Sequence, residues 1–439
     1  MTNHIIRRQL ITSSLVICQI VFAALLTACS DNEHDIEDYP LNYEITEVKA
    51  SQDIPVGAFL VNAYGDLTNA ALWDRLTNPY DASTGEIGPY VKPVLGQYRL
   101  VSTNSDDHEE IAHNLGQIAA WAKKAKIDFL ITHPIRENAG SSWEKDSYPN
   151  NINVEDSIFL NLISGRTDTL GWKNDGSTKY AIQIHTQNIS AAMGSNNYTT
   201  PLETRADRVF TDSLGGRHTT TQTERLVLFV RSLAKYFKDD TYYKTPDGRP
   251  VVIMRQPEEL YSTRVDSLYD ALRAAMKEVC GMNPYIICTQ KSWSPTARLE
   301  QVVLAGKPDA ITMLNMSNVG AGLYERLYWL DVFINENYKL NHEYLTNHYP
   351  AIDFIPSVSN GYSYYVRDGR YNYPDVLPST DGFRKRCWIA KQNLGRYPMV
   401  IIDAWNDYGF GSFIEPTDPN YGNGYGEAYL DIVAKEFKR

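Results

Sequence analysis

The sequence predicts an α/β protein built as a single (β/α)8 TIM barrel. Three observations carry this expectation. Eight short apolar runs recur along the chain, stretches with helical periodicity alternate with them, and the runs are apolar almost throughout rather than at every second residue. A strand buried on both faces reads this way, and eight such units close a barrel. An open doubly wound sheet is the alternative, but no GxGxxG or P-loop pattern follows any run, so the usual nucleotide signals of such sheets are missing.

The expected strands are 56–61, 127–132, 180–185, 250–254, 285–289, 309–315, 354–358 and 399–404, chosen for β-branched content, shortness and polar flanks. The expected helices are 107–126, 154–164, 222–237, 261–279, 297–305, 323–340, 380–395 and 427–437. In the first of these Ile111, Leu115, Ile118, Ala119 and Ala122 form one apolar stripe, while Glu109, Glu110, Lys123 and Lys124 face outward. Long insertions at 65–101, 134–153 and 189–221 follow strands one to three. In a barrel they fall on the C-terminal face, where loops build a cleft.

The 439 residues carry a formal charge of -11 and no basic block, which argues against nucleic acid as a partner. Thirty Tyr and eight Trp supply flat apolar faces of the kind that bind sugars, although half-buried strands also favour Tyr. Cys280, Cys288 and Cys387 are an odd set without CxxC spacing, which argues against a disulfide framework, and Cys288 and Cys387 read as small core hydrophobes. No HExxH or comparable spacing occurs among nine His, so no metal and no other cofactor is expected.

The N-terminus has the parts of an export signal: Arg7 and Arg8, an apolar stretch from Leu10 to Leu26, then Leu26-Thr27-Ala28-Cys29. Thr12, Ser13, Ser14 and Gln19 interrupt the stretch and leave it short for a membrane span. The last four residues resemble the bacterial lipobox. That resemblance implies a signal peptide over 1–28, lipidation of Cys29 and a membrane anchor. An acidic flexible tether is expected over 29–53 and the barrel over 54–439. Ser30 to Asp38 is similar to the export signal of lipoproteins displayed by Bacteroidetes, which implies an outer-membrane-anchored protein exposed at the cell surface. It is expected to act as a monomer.

If the barrel is right, strand ends converge on one site. They supply Asn62, Tyr64, His133, His185, Arg255, Gln290, Asn315, Tyr362 and the run Trp405, Asn406, Asp407, Tyr408, Gly409, Phe410. Amides, imidazoles, a guanidinium and aromatic rings suit a hydroxyl-rich ligand, and with Arg255 as the one cation a sugar fits better than a phosphate. For each residue an ordinary core or loop hydrogen bond is the competing role. Glycoside cleavage ordinarily needs two carboxyl groups. Asp407 is one, and Glu415, Asp403 and Glu137 compete to be the second, with His133 as a further candidate for proton transfer.

Trp405 to Pro416 resembles the W-N-E-W-x-E-G-T-x-I-E-P signature of glycoside hydrolase family 99, the endo-α-mannosidase and α-mannanase family, and of the related family 71 clan. Segments Phe354 to Val358, Pro93 to Tyr98 and Asp247 to Val252 are similar to that family's strand seven, opening unit and entry to strand four. The resemblance implies a (β/α)8 barrel and a retaining mechanism on an α-linked, mannan-like oligo- or polysaccharide. It places the glutamate that activates the 2-hydroxyl on Asp407 and the general acid/base on Phe410. Aspartate keeps the charge on a shorter arm, and phenylalanine transfers no proton. Three readings follow: a glycosidase with Asp407 as base or nucleophile and a relocated acid, a barrel that binds glycan without cleaving it, with Trp405, Asn406, Tyr408, Phe410 and Glu415 among its contacts, and a structural lipoprotein with a vestigial cleft.

Overall fold

The computed structural model describes residues 41–61, 67–78, 90–138, 152–167, 171–186, 201–204, 206–211, 217–290, 293–313, 329–363, 365–368, 376 and 378–439. Cys29, Asn62, Tyr64 and Asn315 lie outside the described residues, as do the signal peptide and most of the expected tether. Residues from Ile45 to Arg439 form one compact unit. Its first turns of chain lie on the barrel: Ile45 and Ala50 pack against the core, and Gln392 Nε2 donates to the Thr46 carbonyl at 3.2 Å.

All eight expected strands form: β1 Val56–Phe59, β2 Phe129–Ile135, β3 Lys179–His185, β4 Val251–Arg255, β5 Tyr285–Gln290, β6 Ala310–Met313, β7 in two pieces and β8 Val400–Ile402. The pieces of β7, Asp353–Ile355 and Ser357–Val358, flank Pro356, which has no N–H to give a ladder. The first piece pairs with β6 and the second with β8, and β8 pairs with β1, so the parallel ring closes. Ile401 N donates to the Pro356 carbonyl at 3.1 Å and carries the ladder past the break.

The helices are α1 His108–Lys124, α2 Val154–Ile163, α3 Gln222–Leu233, α4 Val265–Cys280, α5 Ala297–Val302, α6 Leu330–His348, α7 Thr380–Gln392 and α8 Ala428–Phe437. Local signals set their ends. In α1 Glu109 and Glu110 sit in the first turn and Lys123 and Lys124 in the last, matching the helix dipole. A capping box opens α3, with Thr221 bonded to Glu224 N and the Glu224 carboxylate to Thr221 N. Gly281, at φ 84°, takes the left-handed position that ends α4. A helix at Ala70–Thr77 and a hairpin of Ala206–Thr211 with Arg217–Thr221 add structure to the first and third insertions that the periodicity did not announce.

Strand residues alternate between two buried layers, as a double-faced parallel sheet requires. Phe59, Phe129, Ile131, Val251, Ile253, Ile287, Ile355 and Ile401 are among those that fill the lumen, and their neighbours pack under the helices. Cys280, Cys288 and Cys387 are buried free thiols, and burial pushes Cys288 up to about 12. Among the described residues no helix is long and apolar enough to cross a membrane.

The lumen floor is tightly filled. Phe129 and Tyr243 stack with centroids 3.9 Å apart, and the Tyr243 and Tyr397 hydroxyls meet at 2.9 Å. A Cβ added at Gly57 in β1 would come within 2.5 Å of the Phe129 ring. Overpacking of this kind costs about 1–3 kcal/mol, so Gly57→Ala is expected to lower Tm in a thermal melt.

Candidate active site

The C-terminal mouth is built around the chain that leaves β8. Counting by twos from Met399 and Ile401, both lumen residues, puts Asp403 on the lumen side just past the strand. Its N–H donates to the Val358 carbonyl at 2.8 Å, which ties it to β7. Asn406–Asp407 then pairs antiparallel with Ser412–Phe413 across a single 3-10 turn, Tyr408–Phe410. Gly411 closes the turn at φ 64°, and a Cβ there would meet Ser363 N at 2.9 Å, so glycine answers both a backbone and a space requirement.

A buried glutamate holds this loop. Glu415 has no exposed surface, and its Oε2 accepts from the Tyr98 hydroxyl at 2.7 Å and the Tyr408 hydroxyl at 2.5 Å, while Oε1 accepts from Trp405 Nε1 at 3.2 Å. Burial pushes its carboxyl up to about 7, against the opposing pull of those three donors. Tyr98 also accepts from Asn406 Nδ2 at 3.0 Å, and Asn406 exchanges hydrogen bonds with the backbone of Val61, giving from Nδ2 at 3.1 Å and receiving at Oδ1 at 2.8 Å. The loop is thereby fixed to the end of β1.

Trp405, Asn406, Tyr408 and Glu415 are all fully buried. The expectation that they touch a ligand is therefore corrected: their polar atoms are spent on one another and on β1, and they act as the frame of the loop. Asp407 and Phe410 are partly exposed, and they are the residues of the run that the frame presents.

Asp407 stands beside a second carboxyl. Partial burial is the largest influence on it, the charge of Asp403 the next, and together they push it up to about 7 against the pull of Arg255, the Phe410 N–H and Arg367. Asp403 is likewise pushed up to about 7 by burial and pulled back by Arg255. Two carboxyls and one guanidinium balance in charge when the pair holds a single proton, so near neutral pH one is an acid and the other a base.

Arg255 and His185 end β4 and β3 as paired neighbours in the sheet. His185 is partly exposed, and burial first, then the charges of Arg255 and Arg136, lower it to about 4, so at neutral pH it is an uncharged imidazole. Tyr362, expected as a ligand contact, is buried in the core and backs the Phe410 ring, nearly parallel at 8° with centroids 5.9 Å apart, while the Arg367 guanidinium sits 4.9 Å from the Phe410 ring. Gln183 and Thr312 add polar groups buried in the lumen below, by the same alternation of faces.

Three expected site residues turn elsewhere. A register shift between Ile131 and Pro134 in β2 reverses the alternation, and His133 faces α2, where Nε2 meets Asp156 Oδ1 at 3.0 Å and the ring packs against Phe159 at 4.5 Å. Glu137 is fully buried and engages Arg225 through both oxygens, with Arg225 Nε at 2.6 Å from Oε1, so it is a structural ion pair rather than an exposed acid. Gln290 lies on the helix side of β5 and donates to Asn341 Oδ1 at 2.9 Å. Asp403, one of three competing candidates for the second carboxyl, is the one that reaches the mouth, and the period-two count along β8 is the sequence signal that separates it from Glu415 and Glu137. Among the described residues no three His, Cys, Asp or Glu cluster to hold a metal ion.

A solved structure described as a glycoside hydrolase-like protein superposes with a TM-score of 0.67 at 22% identity, over 92% of this chain and 99% of that one. The fold is glycoside hydrolase-like. A second neighbour, the GH99 endo-alpha-mannosidase from Bacteroides thetaiotaomicron in complex with BIS-TRIS-propane, gives 0.51 at 14% identity, over 88% of this chain and 96% of that one. No family model matches the chain, and no curated protein matches it.

Removing the hub should unfasten the loop. Glu415→Ala strands two hydroxyls and an indole N–H in a dry site and is expected to cost about 2–5 kcal/mol in denaturant titration, while Glu415→Gln, which keeps an acceptor, costs less.

Proposed function

We propose that the barrel hydrolyses an α-linked, mannan-like glycan at this mouth, with Asp407 as base or nucleophile and Asp403 as the relocated acid. The observation that carries the reading is the Asp403–Asp407 pair beside Arg255, which keeps one proton near neutral pH at the C-terminal mouth of a glycoside hydrolase-like barrel. The protonated carboxyl gives its proton to the leaving glycosidic oxygen. The ionised one either bonds to the anomeric carbon itself or takes the proton of the substrate's 2-hydroxyl so that this oxygen attacks that carbon, and water then opens the intermediate and returns both carboxyls to their starting protonation. The charge of Asp403 is felt at Asp407, which favours the short separation of a retaining enzyme. Neutral His185 and the Phe410 ring supply hydroxyl and C–H contacts. The lipobox-like Cys29 supports tethering through lipid, and the acidic Ser30 to Asp38 segment supports display on the outer surface of a cell, with oligo- or polysaccharide as the substrate.

A second reading rests on Phe410. It stands where the family resemblance puts the general acid/base, with Arg367 over its face, and an aromatic ring capped by a cation is a recognition surface rather than a proton donor. On that reading the mouth binds glycan and leaves it intact.

Incubation with a panel of α-mannans and other α-glycans separates the two. The enzyme reading expects sugar release by the wild type, a fall on the order of 100-fold or more in both Asp407→Asn and Asp403→Asn, and loss of rate as the pH rises above about 7 and the pair gives up its proton. Heat of binding in a calorimeter with no product from the wild type would establish the binder instead.

A further inference from the structure

At the end of the barrel opposite Asp407, the starts of β1 to β4 surround a second cavity of about 770 Å³. Lys123, Lys126, Lys179, Lys244, Lys438 and Arg439 line it, against Asp53, Asp128 and Asp240. The chain as a whole carries -11, so this excess of cations runs against the composition.

The fold sets these cations in place. The last turn of α1 and the residues after it carry Lys123 and Lys126, with Lys126 N donating to the Lys123 carbonyl at 3.0 Å and Lys126 itself in the left-handed region at φ 55°. Lys438 is anchored, its Nζ giving to Asp128 Oδ2 at 2.6 Å and to the Ile54 carbonyl at 2.8 Å. Lys179 Nζ gives to the Asp240 carbonyl. Two of the three lining acids are engaged by the chain itself: Asp128 Oδ2 also receives Val56 N at 2.7 Å, and Asp53 Oδ1 receives Arg439 N at 2.8 Å. Lys123, Lys126 and Lys244 line the concave space, Asp175 is near enough to feel the charge of Lys123, and the lining as a whole carries six cations against three acids.

We propose that this basal cavity binds a multiply charged oxyanion, a phosphate or sulfate ester, at a site separate from the carboxylate pair. Ammonium groups are compact point charges with three donors each, and several arranged around a concavity match an oxyanion that accepts in several directions. A volume of about 770 Å³ admits a sugar ring together with its ester. The same ester chemistry is found on a free sugar phosphate and on a charged glycan chain. The site does not depend on the hydrolase reading, since none of its residues belongs to the mouth.

Isothermal titration with inorganic phosphate, a hexose phosphate and a sulfated oligosaccharide, at low and at physiological salt, tests it. Binding of at least one probe by the wild type is expected, stronger at low salt as screening falls. Lys123→Ala/Lys244→Ala, and separately Lys126→Gln, should weaken that binding, the double variant by about 10-fold or more for two lost charges. Both retain Lys438, which carries the structural contacts, and circular dichroism confirms that they fold. Asp407→Asn should bind as the wild type does, whatever its effect on glycan cleavage. A tighter hexose phosphate identifies a free sugar ester as the ligand, and a tighter oligosaccharide identifies a charged glycan. Absence of binding by all three probes at low salt, or full binding in folded Lys variants, would overturn the proposal.

Discussion

The mouth of this barrel depends on one buried carboxyl group. Glu415 gathers Tyr98, Tyr408 and Trp405 on its two oxygens, and through Tyr98 and Asn406 it reaches the end of β1. A buried acid normally destabilises a fold unless its lone pairs are filled, and here three donors fill them. The return is geometric. With the frame locked, the 3-10 turn has little freedom, and Asp407 is delivered beside Asp403 at the end of β8. The pair near Arg255 is a consequence of where β8 ends and where Glu415 holds the loop.

The barrel was legible because double-faced burial writes itself into the sequence as apolar runs, and all eight were in place, β7 interrupted only at Pro356. Helix positions followed from apolar periodicity, but their ends were less legible: α6, expected to stop at residue 340, runs on to His348. What the runs did not show was direction. His133 reads as a lumen residue by position, and the register shift after Ile131 turns it to α2. Such a bulge is set by the pairing of β2 with β3, which no local pattern records.

The site was legible as a region rather than as a set of contacts. Trp405 to Glu415 was recognised as the stretch that matters, yet residue type alone does not tell a frame from a contact surface. Trp405, Asn406, Tyr408 and Glu415 have the side chains of a sugar site and are used internally. Glu137 has the chemistry of an acid and is occupied by Arg225, some ninety positions along the chain. Asp403, a candidate that the sequence put inside strand 399–404, lies one step beyond β8, and that step moves it from the core to the mouth.

The account rests on two carboxyls held near neutral pH, Asp403 by burial and Asp407 by burial and the charge of Asp403, with Arg255 moderating both. Titration of the aspartate carboxyl carbons by NMR, with Asp403 and Asp407 assigned by comparison with their Asn variants, measures this directly. The account predicts that the pair loses its last proton near pH 7, and that Asp403→Asn lowers the titration of Asp407 by removing the neighbouring charge. Two carboxyls that ionise independently in the ordinary aspartate range, below about pH 5, would contradict it.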